Sequence, residues 1–89
     1  MARVHFTPQL KRFVDAPAVD VSAATLRGGL EQVFADHPRL RGYVLDEQGH
    51  VRANVVVFID GRRCLDRSVL NDPLTADSQV HVLQALSGG

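Results

Sequence analysis

Eighty-nine residues are enough for one domain and one modest core, because a chain this short buries roughly 60–65% of the surface its unfolded form exposes. The composition, 45% hydrophobic and 22% charged, excludes a disordered chain, and ten basic residues against ten acidic ones leave no net field to gather nucleic acid or an anionic membrane. Nine of the ten basic residues are Arg; Lys11 is the only lysine.

Cys64 stands alone, which rules out an internal disulfide and a multi-cysteine zinc site and fits a reducing, cytoplasmic compartment. Met1 to Phe13 holds no apolar run long enough for a secretory signal, and no stretch approaches a membrane span.

Taken in chain order, Ala2, Val4 and Phe6 alternate with Arg3, His5 and Thr7, the period of a half-buried strand that Pro8 interrupts. Leu10, Phe13 and Val14 are apolar anchors of a connection, and Val19 and Val21 flank Asp20 in a second short strand. A helix follows. Ser22 or Thr25 can cap it, and Leu26, Leu30, Val33 and Phe34 make one apolar stripe. Gly28 and Gly29 each cost that helix about 1 kcal/mol relative to Ala, so the sequence weakens its own helix unless a backbone must pack close there. Asp36-His37-Pro38 ends it, since the residue before a proline is pushed out of helical geometry.

Beyond Leu40 the pattern reads as short strands and turns. Tyr43 to Leu45 is an expected strand, followed by a hairpin loop at Asp46-Glu47-Gln48-Gly49 and then Val51. Val55 to Ile59 is apolar throughout, which predicts a central strand buried on both faces. Asp60-Gly61 is a two-residue hairpin turn, with Arg62 to Leu65 the return strand. Turns at Asn71-Asp72-Pro73 and Ala76-Asp77-Ser78 surround a buried Leu74, and Gln79 to Leu83 is the last strand. The expected class is α+β: a mixed sheet of about five strands with one main helix across it, residues 1–83, then a flexible tail, residues 84–89.

That tail reads Gln84-Ala85-Leu86-Ser87-Gly88-Gly89. At average glycine usage a Gly-Gly end arises by chance in about 0.5% of chains, so this one invites a functional reading. The segments Asp72-Pro73-Leu74 and Gln79 to Gly89 resemble the closing stretch of the MoaD/ThiS family of ubiquitin-like, β-grasp sulfur carriers. Val55 to Arg62 is similar to that family's central strand and turn, and Thr25-Leu26-Arg27 with Leu30 to the start of its helix. The chain departs from the molybdopterin-type members at Val56, where they often have Asn.

The resemblance implies a carrier and not an enzyme. Gly89 would be adenylated, with ATP and Mg²⁺ acted on by a ubiquitin-activating-like adenylyltransferase. A sulfur donor would then convert it to a thiocarboxylate for a downstream synthase. Gly88, Ser87 and Leu86 would position the tail, and the carrier would bind no cofactor itself. Physically, glycine lets a partner's walls come close, and six extended residues reach about 20 Å. The alternatives are a modifier joined through Gly89 to lysines of other proteins, and a β-grasp interaction module. Either carrier use predicts an apolar docking patch near Leu83 and Leu86, on the sheet face away from the helix.

Other constellations are poorer. His5, His37, His50 and His81 are scattered, with His5 and His81 on neighbouring strands facing solvent and no third metal ligand. Cys64 reads as a buried small hydrophobe, Gly28-Gly29 lacks the lysine of a phosphate loop, and Arg62, Arg63 and Arg67 read as a solvated edge.

Overall fold

The computed structural model describes residues 1–8, 10, 14 and 16–84. Five strands form one mixed sheet: β1 (Ala2–Phe6), β2 (Val19–Val21), β3 (Val55–Ile59), β4 (Arg62–Arg63) and β5 (Gln79–Gln84). Helices α1 (Leu26–Asp36) and α2 (Pro38–Val44) lie between β2 and β3 in the chain. The strand order is β2-β1-β5-β3-β4. β5 therefore holds the centre, parallel to β1 and antiparallel to β3.

Alternation decides which side of each strand is covered. Ala2, Val4 and Phe6, Val55, Val57 and Ile59, and Val80 and Val82 all point to one face and are buried. On that face they meet Leu26, Leu30, Val33 and Phe34 of α1 and Leu40 and Val44 of α2. Val56 and Phe58 point the other way and are half-buried. The expectation that β3 is buried on both faces is thus corrected: both helices pack on one side of the sheet, so one side of every strand stays open.

Thr25 is the cap of α1, its hydroxyl accepting from the Gly28 N–H at 3.2 Å. The two glycines answer to close packing. A Cβ on Gly29 would sit 3.2 Å from Leu74 Cδ1 and 3.3 Å from Val21 Cγ2, and one on Gly28 would sit 3.2 Å from Ala23 Cβ. Leu74 is buried under the helix, as its turn-rich surroundings predict.

The strand expected at Tyr43–Leu45 is instead the end of α2. Pro38 suits a first helical turn, where its missing N–H has no partner to lose, and Leu40 and Val44 bury the same face one turn apart. Leu45 and Val51 still bridge antiparallel around the Asp46–Gly49 turn, with Gly49 at φ +80°. The return strand is shorter than expected, β4 ending at Arg63. Cys64 N–H donates once more to Val57 O at 2.8 Å before the chain turns away.

Candidate functional site

Leu86, Ser87, Gly88 and Gly89, the residues singled out for the tail, lie outside the described residues. What the fold supplies is their base and the surface beside it. Gln84, the last residue of β5, pairs with Val55, and Val82 O accepts the Thr7 N–H at 3.0 Å. The strand that leads into residues 85–89 is thus hydrogen-bonded along both edges, which makes it a rigid launching point. The side-chain oxygen of Gln84 is buried and has no hydrogen-bond partner among the described residues.

The open face of the sheet runs from that base across all five strands. Leu83 is 41% exposed and directly opposite Val56; His81 lies opposite Phe58 on one side and His5 on the other. Arg63 pairs with Phe58 at one edge. At the other edge Arg3 Nε donates to Asp20 Oδ1 at 2.8 Å, an ion pair that holds the Asp20 carboxyl below its usual range. Leu83 was expected in an apolar patch. Val56 and Phe58 were not, because a continuous apolar run conceals alternation; the open edge of a two-layer fold is the signal that finds them. Leu65, just past β4, is 83% exposed.

His5 and His81, expected on neighbouring strands facing solvent, are direct partners across β1 and β5. The rings of His5 and His81 stack with centroids 4.6 Å apart and planes 11° from parallel, and His5 Nε2 lies 2.9 Å from Gln79 Oε1. His37 and His50 are elsewhere: His37 separates the helices, and His50 N–H caps Asp46 Oδ1 at 3.0 Å. Among the described residues no three His, Cys, Asp or Glu side chains converge as a metal site would need. No described helix is long and apolar enough to cross a membrane.

Cys64 is buried, and burial pushes its thiol up to about 11, so it stays protonated at neutral pH. Its Sγ donates to Asp66 O at 3.3 Å. A thiol that is neither exposed nor ionised makes a poor nucleophile.

Around the segments 42–55 and 66–71, polar side chains are turned onto the backbone. Arg27 donates to Ser68 O at 2.6 Å, Gly49 O at 3.0 Å and Val69 O at 3.2 Å. Arg67 donates to Val55 O at 2.6 Å and also to Arg52 O, while Arg52 donates to Gly42 O at 2.7 Å. Arg67, expected at a solvated edge with Arg62 and Arg63, is in fact tied to carbonyls and half-buried. Asp66 accepts from the N–H groups of Asn71, Val69 and Ser68, which hold its carboxyl below the usual range.

No family model matches the chain, and no curated protein matches it. Solved structures do. SAMP1 from Haloferax volcanii is similar over 99% of this chain and 98% of its own, with a TM-score of 0.77 at 21% identity. A chain of the BexX/CysO complex from Amycolatopsis orientalis matches over the full length of both, with a TM-score of 0.82 at 15% identity. Urm1 from Sulfolobus solfataricus covers 93% of this chain and 99% of its own, with a TM-score of 0.68 at 15% identity. At these identities the likeness concerns the backbone, and with the sheet order and helix placement above it establishes that this chain has the ubiquitin-like β-grasp fold.

Proposed function

We propose that the protein is a sulfur carrier whose working group is the carboxylate of Gly89. The observation that carries this reading is the position of β5. The most fully paired strand of a ubiquitin-like sheet leads straight into Ala85-Leu86-Ser87-Gly88-Gly89, beside an open face with an apolar centre. A partner can grip that face while the tail extends about 17 Å from Gln84 into an active site.

The chemistry belongs to the partner. An ionised carboxylate resists nucleophiles. A ubiquitin-activating-like adenylyltransferase, using ATP and Mg²⁺, joins the Gly89 carboxylate to the α-phosphate and releases pyrophosphate. A sulfide equivalent from a sulfur donor then attacks the acyl carbon, AMP leaves, and a thiocarboxylate remains for a downstream synthase. In this scheme the chain contributes Gly89, the slim Gly88 and Ser87, and Leu86 as an apolar anchor. That one structural neighbour comes from a two-protein complex supports a docking role for this fold.

The test is the intact mass. The protein isolated from its own cells should end at Gly89. With its adenylyltransferase, ATP, Mg²⁺ and a sulfur donor it should gain the mass of one oxygen-to-sulfur exchange. An unchanged mass with an active partner present overturns the reading.

A second reading is a protein modifier joined through Gly89 to lysines, favoured by the likeness to small archaeal modifier protein 1 from Methanosarcina acetivorans. It predicts Gly-Gly remnants on lysines of other proteins in digested lysates.

A further inference from the structure

The sheet ends at β2 and at β4, and the two edges are closed differently. β4 is two residues long and both are exposed arginines, so that edge is short and charged. β2 is three residues with two valines, the kind of edge that pairs with another strand.

The register shows which peptide groups of β2 are turned outward. In an antiparallel pair, successive residues point their N–H and C=O groups alternately toward the partner strand and away from it. Arg3 N–H donates to Ser78 O at 3.0 Å, toward β5. Asp20, opposite Arg3, therefore turns its backbone groups away from β1, to the outer edge. Val21 turns inward to Ala2, and Ser22, the next residue, turns outward again.

At Ser22 those outward groups are already taken. Gln32, exposed on α1, accepts the Ser22 N–H on Oε1 at 2.8 Å and donates from Nε2 to Ser22 O at 2.8 Å. One side-chain amide makes both bonds that the peptide of a neighbouring strand would make. A second copy of this chain, placed antiparallel to β2 about a two-fold axis at Val21, would set Asp20 opposite Ser22 of the second copy at each end, exchanging N–H···O bonds. Like charges would not meet there, since Asp20 faces a serine and is paired with Arg3. The Ser22 half of that arrangement is what Gln32 occupies.

We propose that Gln32 is a latch that shuts the β2 edge against pairing with β2 of a second copy of this chain. The latch works whether or not Gly89 carries sulfur.

Hydrogen exchange on the wild type reads the latch directly. The Ser22 N–H should exchange about tenfold more slowly, after correction for sequence, than the outward Asp20 N–H, which has no such partner among the described residues. Equal exchange at the two positions overturns the proposal. Gln32→Met keeps helix propensity and side-chain length, can make neither bond, and changes an exposed position outside the core. Sedimentation equilibrium should show it dimerising at least about tenfold more tightly than the wild type. Adding Ser22→Pro removes the outward N–H that the pairing needs, at an edge where proline is tolerated, and should restore the wild-type mass. A Gln32→Met protein no more dimeric than the wild type, or one whose dimer survives Ser22→Pro, overturns the proposal.

Discussion

Two regions of the molecule, the loops around β3 and the open face of the sheet, use polar side chains in opposite ways. In the loops, Arg27, Arg52, Arg67, Asp46 and Asp66 are turned onto backbone groups of the segments at 42–55 and 66–71. On the open face, His81 and Arg63 face outward beside Val56, Phe58 and Leu83, while Arg3 pairs with Asp20 and His5 with Gln79. Loops without a ladder have backbone groups that must be satisfied by something, and here guanidinium forks and carboxylates do it. The open face has a ladder beneath it, so its side chains are not needed to satisfy the backbone. Substitutions should therefore separate cleanly into those that unfold the protein and those that only blind it.

The largest stability effect is expected at Arg27. Removing a donor to three carbonyls by Arg27→Ala should lower unfolding free energy by about 2 kcal/mol in denaturant titrations. Arg27→Lys should recover only part of this, because an ammonium cannot span the three oxygens as the planar fork does. Full recovery by Lys would show that charge alone, and not the fork, holds the loops.

Phe58→Asp and Leu83→Asp make the opposite kind of change. Both residues lie on the open face, so each variant should keep its melting midpoint to within the shift of about 1 kcal/mol while losing at least tenfold in affinity for the adenylyltransferase proposed as its partner. Equal losses of folding and binding would erase the distinction between the two regions.

A pH scan sharpens the comparison further. Asp46 is held below the ordinary carboxylate value of 3.8 by the His50 and Gln48 N–H groups, and Asp66 by those of Asn71, Ser68 and Val69. A depressed pKa in the folded state adds stability that is complete above the unfolded value and is lost as pH falls through the folded one. Thermal midpoints should hold steady above about pH 5 and drop below pH 4. Asp66→Asn should lower the midpoint at pH 7, with its deficit against the wild type shrinking below pH 3.8. A deficit that is constant with pH would assign Asp66 a role independent of its charge.

The smallest effect is a gain. Nothing lies within 4 Å of where a Cβ on Gly42 would go, so Gly42→Ala in α2 should stabilise by about 0.5–1 kcal/mol. The same change at Gly29 must push Leu74 and Val21 aside, so its helix-propensity gain should be cancelled. Calorimetry on the pair tells a spacing glycine from an idle one.

Local patterns determined much of this molecule. Period-two alternation in Ala2–Phe6 and Gln79–Gln84, the i, i+4, i+7, i+8 stripe of α1, its Thr25 cap and the Asp60-Gly61 turn all depend on neighbours within about one turn or one strand, and those are written in order along the chain. The short apolar run Tyr43-Val44-Leu45 could not be resolved that way, since three residues fit either period, and the packing of Leu40 and Val44 under the sheet decided for helix. Which strand is central, which face of Val55–Ile59 is covered, which carbonyls Arg27 reaches and that His5 lies on His81 were settled only by the fold. Each of these joins residues from 20 to 76 positions apart, and a contact at that distance is selected by the burial of the whole sheet against its two helices and by no local propensity.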